Sequence, residues 1–176
     1  LLTTDGGNTW QLSPNPPSAE IAETATHGSF QVELPNMWWG TSLTSIHRST
    51  DGGLTFTSHA TPGAGIYVFS LHFNSGAIGL VAGTSMSKST NAGTTFASHP
   101  SMGAGNIDGI EGAGSDFWYV RGLGIYRSSN AGLNWTQVFT ASLTQMHIDF
   151  PDNLSGCQMG WAAGFGGTIY KMTGSL

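Results

Sequence analysis

The residues best suited to chemistry form a short cluster in the middle of the chain. Asp108, Glu111 and Asp116 supply three carboxylates in a glycine-rich stretch, and Trp118 and Arg121 follow closely. Glycosidic hydrolysis needs two carboxylates roughly 5–10 Å apart, while an aromatic ring or a guanidinium can hold a ligand beside them. We interpret these residues as a candidate ligand-binding patch; the alternative is a solvated loop between strands.

Trp39 is a further candidate for ligand contact. It follows Trp38 directly, at a place where the surrounding pattern requires only one apolar residue. An exposed indole there can stack on a sugar ring or a partner side chain, whereas the competing interpretation places it in the core. The predicted ligand-binding residues are Asp108, Glu111, Asp116, Trp118, Arg121 and Trp39, and no catalytic residue or metal ligand is assigned.

A second set of polar residues belongs to an eight-residue pattern, the octapeptide, which occurs at 3–10, 49–56, 89–96 and 128–135. Its third residue is Asp5, Asp51, Asn91 or Asn130, at steps of 46, 40 and 39 residues. Asn at two of these positions argues against acid–base or calcium chemistry, because an amide carries no charge. The pattern instead predicts a turn in which this side chain bonds backbone NH groups two residues further on.

Each octapeptide also shares a glycine and a final aromatic residue. The glycine allows a positive φ that residues with a Cβ atom resist, and the aromatic residue is predicted to start the next strand and pack between sheets. The glycines are Gly7, Gly53, Gly93 and Gly132, and the aromatic residues are Trp10, Phe56, Phe96 and Trp135. A repeat of about 40 residues predicts a propeller or a solenoid.

The octapeptide resembles the Asp-box, also called the BNR repeat. Such repeats occur in sialidases, sortilin-type receptors, oligoxyloglucan-hydrolase-type glycosidases and photosystem II stability-factor-like propellers; residues 160–164 and 168–171 are most similar to the last group. The resemblance covers nearly the whole chain. It implies an all-β propeller of four-stranded antiparallel blades, with about four to five repeats, whole or as part of a larger ring. It implies little about function, because these families do unrelated things on one scaffold.

The repeats predict the extent of each blade. The predicted segments are a partial blade 1–12, a loop 13–29, whole blades 30–59, 66–99 and 106–139, and a terminal blade 142–176. Gly174 stands where the terminal blade needs Asp, so its last strand is missing from the pattern. Because an unpaired edge strand is a liability, three arrangements are considered. The chain is a piece of a longer propeller, a small ring completed by residues 10–12, or one part of a ring shared by two chains.

Composition narrows the class of protein. Of 176 residues 26 are Gly and 9% are charged, with a net charge of −5 and only five basic residues. This fits one all-β domain with many tight turns, and it argues against binding to nucleic acid or anionic membranes. Cys157 is the single cysteine, so no internal disulfide is possible. We predict no cofactor, no membrane insertion, and an extracellular or cell-surface location.

Counting arginines argues against a complete sialidase site, which needs three around the substrate carboxylate. Arg48 and Arg127 hold a repeat position that Lys88 and Lys171 also hold, so they belong to the scaffold, and Arg121 alone is out of register.

The predicted function is therefore non-catalytic recognition or scaffolding, with a protein or glycan ligand and a possible homo-oligomer. One alternative is a portion of a glycoside hydrolase, and another is a photosystem-assembly-factor-like chaperone.

Overall fold

A computed structural model of the chain describes residues 1–16, 29–41, 44–65, 68–74, 77–150 and 159–172. Their regular structure is almost entirely β-strand, in four antiparallel sheets, with one 3₁₀ turn at Phe165–Gly167. The prediction of an all-β propeller with antiparallel blades is confirmed. Cys157, Gly174 and residues 17–28 of the predicted loop lie outside the described residues.

Each sheet is one blade, with its strands in sequence order. The first blade contains β1 (Phe30–Glu33), β2 (Asn36–Gly40), β3 (Ser45–Ser49) and β4 (Thr57–Ala60); the second contains β5 (Ser70–Asn74), β6 (Ile78–Ala82), β7 (Met86–Ser89) and β8 (Ala97–His99). The third contains β9 (Ile107–Ala113), β10 (Asp116–Arg121), β11 (Gly124–Ser128) and β12 (Thr136–Thr140); the fourth contains three described strands, β13 (Gln145–Asp149), β14 (Trp161–Gly164) and β15 (Ile169–Lys171).

The octapeptides form the turns between the third and fourth strands of the blades. In the second copy, Ser49 Oγ accepts the Asp51 and Gly53 NH groups at 3.3 and 2.9 Å, and Asp51 Oδ1 accepts the Thr55 NH group at 2.9 Å. The expected bond to an NH group two residues on is therefore made by the serine hydroxyl, and the Asp bond spans four residues. Gly53 has a φ of 89°.

Asn can replace Asp in this turn because a single acceptor oxygen makes the backbone bond. Asn91 Oδ1 accepts the Thr95 NH group at 2.9 Å, as Asp51 does for Thr55. Where Asp is present, the threonine hydroxyl also donates to the carboxylate, and this bond is the largest cause that lowers the pKa of Asp5 and of Asp51 to about 2. These carboxylates are therefore turn acceptors.

The hydrophobic core lies between the blades. Each seam joins the front face of one blade, which looks toward the next blade in the chain, to the rear face of that next blade. At the first seam Trp38 and Ile46 pack against Leu71 and Phe73, and the Trp38 and Phe73 rings stack with centroids 4.2 Å apart. Because burial of apolar area contributes roughly 25 cal/mol per Å², the seams hold the blades together.

The other two seams repeat this arrangement. Leu80 and Met86 of the second blade pack against the third blade, where the aromatic residue Trp135 of the octapeptide joins the cluster. Trp118 of the third blade stacks on Phe150, in the segment that follows β13, with centroids 4.0 Å apart. The repeat position of Trp38 thus holds Trp or Leu in each front face.

The two outermost faces of the described sheets carry exposed apolar side chains. On the rear face of the first blade Phe30 and Val32 are 45% and 47% exposed, and on the front face of the fourth blade Ile169 is 71% exposed. Ile125, which holds the same register position as Ile169 one blade earlier, is 9% exposed. β1 packs beside β5, β5 beside β9 and β9 beside β13, and no comparably extensive contact joins β13 to β1 among the described strands.

Trp10 differs from the prediction for the octapeptide aromatic residues. Phe96 and Trp135 pack against the seam cores, whereas Trp10 is 59% exposed. Its indole Nε1 donates to the carbonyl of Gly7 within its own turn. The difference follows from the position of Trp10 in the chain. Phe96 and Trp135 pack against the preceding blade, and no described blade precedes the hairpin of residues 1–12.

Candidate functional site

The structure disperses the predicted ligand-binding patch over both sides of the third blade. Asp108 lies at a β-bulge in the inner strand, where Val120 pairs with Gly109 and Arg121 pairs with Ile107. It is 8% exposed, and burial raises its pKa to about 6. This carboxyl group is therefore set apart from the other two candidate acids.

Glu111 bridges the second and third blades. His72 Nδ1 lies 2.5 Å from Glu111 Oε1, and the same oxygen accepts the Gly112 NH group at 3.1 Å. His72 Nε2 also contacts Asn74 Oδ1 at 2.7 Å, so the imidazole links a carboxylate to an amide. Glu111 is thereby engaged in the second seam.

Asp116 and Trp118 are both engaged with Arg127. Arg127 Nη2 donates to Asp116 Oδ1 at 3.1 Å, and its guanidinium carbon lies 5.8 Å from the centroid of the Trp118 ring. Trp118 is only 1% exposed and belongs to the third seam. The structure brings these three residues together, but as part of the packing between blades.

Arg121 fastens the loop that precedes its own blade. Its guanidinium donates to the carbonyls of Gly105, Met102 and Thr84 at 2.9, 3.1 and 2.7 Å, and to Ser101 Oγ at 3.1 Å. The side chain is 8% exposed. Its guanidinium therefore serves backbone carbonyls and is not presented to a ligand.

Trp39 lies away from this cluster, on the rear face of the first blade. It packs in a tilted arrangement against Phe30, with ring centroids 4.9 Å apart. Trp38 beside it is fully buried, as the repeat pattern requires of one of the two indoles. Trp39 thus belongs to an uncovered blade face.

No grouping of three or more His, Cys, Asp or Glu side chains among the described residues is arranged to hold a metal ion. No helix in this part of the chain is long and apolar enough to cross a membrane.

Replacing Asp108 with Asn is expected to stabilise the protein near neutral pH. With the folded pKa at about 6 and an unfolded value of about 3.9, the folded state holds a proton that the unfolded state releases. Stability from this group is present at low pH and is lost as the pH rises from about 4 through about 6, by about 1–3 kcal/mol. Urea denaturation from about pH 4 to about pH 7 should show this loss in the wild type and not in D108N. Exposed Asp149, replaced with Asn, is the control; parallel pH profiles for wild type and D108N would contradict the assignment.

A concave site lies between the third and fourth blades, and we call it the interblade cleft. It has a volume of about 350 Å³ and is mostly apolar. Its lining is Trp118, Ile125, Arg127, Val138, Phe139, Ile148, Phe150, Gly160, Trp161, Ala162, Tyr170, Lys171 and Met172. The aromatic rings form its walls, and the two basic side chains each lie 5.8 Å from a lining indole.

Sequence reasoning placed Trp118 in a site but missed the remainder of the cleft. One signal was available at Val138, which lies eight residues after Asn130, where the two preceding whole blades have His59 and His99. The change from histidine to valine marks the third blade as different at its outer strand. Tyr170 carried no such signal; its hydroxyl lies 2.8 Å from Ser142 Oγ, a contact between the fourth blade and the loop before it.

Comparison with known proteins gives solved structures of similar fold. No family model matches the chain, and no curated protein matches it. The computationally designed Ika4 protein aligns with a TM-score of 0.64 at 12% identity, over 81% of this chain and 88% of that one. An ancestral GH74 enzyme aligns with a TM-score of 0.62 at 16% identity, over 82% of this chain and 23% of the enzyme. YCF48 bound to a D1 peptide aligns with a TM-score of 0.59 at 16% identity, over 83% of this chain and 54% of YCF48.

These likenesses show the fold alone. The chain spans less than two thirds of the length of the GH74 enzyme and of YCF48.

Proposed function

We propose that this chain is a non-catalytic recognition module of the Asp-box propeller type that binds a protein segment in the interblade cleft. The observation that carries the proposal is the cleft itself, an apolar concavity of about 350 Å³ with aromatic walls. Binding sites are commonly concave and apolar, with a few polar groups that fix orientation. Arg127 and Lys171 supply those groups. A secreted or cell-surface location remains a prediction of composition.

Binding of a protein segment is favoured over glycoside hydrolysis because the three candidate acids do not face one another across a common site. Glu111 contacts His72, Asp116 pairs with Arg127, and Asp108 lies apart at its bulge. A hydrolase needs two carboxyl groups facing one another across a substrate. The peptide complex of YCF48 supports the choice as a precedent for peptide binding by a protein of similar fold.

Selection of peptides on the folded chain tests the proposal. A phage-displayed random peptide library is panned against the wild type, and the affinities of the selected peptides are measured by titration calorimetry on two variants. Val138→Arg places a charge on the apolar lining of the cleft, and we expect it to weaken binding by at least about tenfold, since burying an uncompensated charge is costly. Leu133→Arg is the matched control, because Leu133 is 61% exposed and lies on an octapeptide turn outside the cleft.

Equal binding by the wild type and V138R would show that the peptides bind elsewhere and would contradict the proposal. So would turnover of a soluble glycan panel that is lost on replacing Glu111 or Asp116 with the corresponding amide.

A further inference from the structure

At the first two seams the front face of one blade holds the octapeptide of the next blade. Trp38 Nε1 donates to the carbonyl of Ala92 at 2.8 Å, across the first seam. Lys88 Nζ donates to the carbonyl of Ala131 at 2.5 Å, across the second seam. Ala92 and Ala131 hold the same place in their octapeptides, and each is bound from the front face of the blade before it. Trp38 lies on the second strand of its blade, and Lys88 lies on the third strand of its own blade, at the position that pairs with the second-strand residue equivalent to Trp38.

The N-terminal hairpin segment and the outer strands of the first two blades each make a further bond to the next octapeptide. Ser13, His59 and His99 each lie eight residues after the Asp or Asn of their own octapeptide. Each bonds a backbone carbonyl of the following octapeptide. The bonds are Ser13 to Gly53 at 2.8 Å, His59 to Thr94 at 2.8 Å and His99 to Gly132 at 2.5 Å. This repeated bond fixes the relation between one blade's outer edge and the turn of the next.

The interblade cleft is the corresponding place at the third seam. Trp118 and Arg127 hold the positions of Trp38 and Lys88, and Val138 holds the position of His59 and His99; all three line the cleft. Among the described residues no octapeptide meets them there. The cleft therefore lies where an octapeptide turn is held at the first two seams, with Val138 in place of the bonding histidine.

The hairpin of residues 1–12 is an octapeptide without a front face to hold it. Leu2 and Gln11 bond each other through both backbone NH groups, at 2.7 and 2.9 Å, so the hairpin is formed. Trp10 is nevertheless 59% exposed. Ser13 bonds Gly53 in the same way that His59 and His99 bond the octapeptides that follow them. The hairpin therefore has the same position relative to the first blade as the outer half of one blade has relative to the next blade.

We propose that the interblade cleft of one copy binds the N-terminal hairpin of a second copy, in a head-to-tail association. The inference rests on the proposed function, since it names the protein segment that the cleft binds. The fourth blade has described inner strands β13–β15, and the hairpin supplies its octapeptide. The outer strand of the hairpin pairs with β15 once Leu2, which holds the place of Lys171 in the repeat, gives up its two bonds to Gln11. In the same step the front face of the fourth blade, with Ile169, covers the rear face of the first blade of the second copy, with Phe30 and Val32.

A second copy is the occupant because the two outermost faces both carry exposed apolar side chains and make no extensive contact with each other in the described part of one chain. Each described seam is made by a front face against a rear face. The front face of the fourth blade and the rear face of the first blade likewise expose apolar side chains, Ile169 on one and Phe30 and Val32 on the other. Within one chain, β13 and β1 lack the extensive contact that joins the other neighbouring inner strands. A heterologous contact of this kind leads to rings or open chains of copies.

The test is the concentration dependence of mass, by sedimentation and native mass spectrometry on the full chain. The wild type is expected to form complexes that are multiples of 18.4 kDa. Trp10→Ser removes the aromatic anchor of the hairpin, and Val138→Arg alters the cleft; each is expected to weaken association at least about tenfold. Leu133→Arg leaves it unchanged. An equimolar mixture of W10S and V138R restores a 1:1 complex, because the intact hairpin of V138R meets the intact cleft of W10S.

Two results overturn the inference. One is a wild type that stays monomeric at all concentrations while selected peptides still bind the cleft; the proposed function then stands without it. The other is association that survives in both W10S and V138R. If the wild type assembles through Trp10 and Val138 but no foreign peptide binds, the inference holds and the cleft serves only self-recognition.

Discussion

Trp38→Ala is expected to lower the free energy of unfolding by about 3–5 kcal/mol, the range for truncating a fully buried large aromatic side chain. Trp38 has no exposed surface, stacks on Phe73 at 4.2 Å and donates its indole NH to the carbonyl of Ala92. The substitution therefore opens a cavity in the first seam and leaves the partly buried carbonyl of Ala92 without its donor. Because the ring contact with Phe73 and the bond to Ala92 are lost together, the effect exceeds that of a typical core substitution.

Urea denaturation, followed by tryptophan fluorescence and circular dichroism, measures this loss. Trp10→Ala is the matched control, since the same side chain is removed at a site that is 59% exposed; we expect a loss below about 1 kcal/mol, measured in dilute solution to exclude association. Similar losses for the two variants would mean that the first seam does not carry the stability assigned to it.

Arg121→Met is expected to destabilise the protein by about 3–5 kcal/mol, because hydrogen bonds to a charged group are strong and three carbonyls and one hydroxyl lose the same donor group. The guanidinium joins the loop at Ser101, Met102 and Gly105 to the carbonyl of Thr84 in the preceding blade. Arg121→Lys should recover only part of the loss, because an ammonium group cannot reproduce the planar fork of donors.

Hydrogen exchange gives a more specific readout of this role. In R121M the amides of residues 100–106 should exchange faster, while the octapeptide amides of residues 128–135 keep their protection. Arg127→Met is the control, since Arg127 makes a partly exposed ion pair with Asp116 and we expect a loss of about 1 kcal/mol or less. Unchanged exchange in the loop of R121M would refute a loop-fastening role.

The architecture could be predicted from the sequence because the octapeptide repeats its chemistry at nearly regular steps. Ser49, Gly53 and their counterparts make the same bonds in each copy, so the turn and the strands around it follow from local residue types. Phe96 and Trp135, in the last two copies, pack between blades as the pattern suggested. Local rules were sufficient wherever a residue's partners lie within its own turn.

The candidate site could not be predicted in the same way, because its residues are assigned roles by neighbouring blades. Arg121 is out of register with the repeat and so looked like a ligand residue, yet its partners come from the loop before its own blade and from Thr84 in the preceding blade. Trp118 looked similar, and its partner Phe150 lies across the third seam, after β13. Residues that break a repeat can mark irregular packing as well as binding.

The exposure of Trp10 was likewise not predictable from its own octapeptide. Its octapeptide is complete and makes the same backbone bond as the other copies, from the Thr9 NH group to Asp5 Oδ1 at 2.9 Å. The sequence of the turn therefore predicts its shape correctly. Whether the aromatic side chain is buried depends on a preceding blade, which no pattern inside the turn specifies.

The location of the core between blades also bears on how such a chain can change its length. Front faces carry Trp or Leu at one position and Ile or Met at another, and each meets a rear face of similar apolar character. Inserting one whole repeat by duplication would therefore divide a seam into two seams of the same kind and expose no new apolar surface. Loss of one repeat would leave a front face and a rear face that still match. Propellers of this construction can consequently gain or lose blades in single genetic steps, with the curvature between blades, and not the chemistry of the faces, setting how many close a ring.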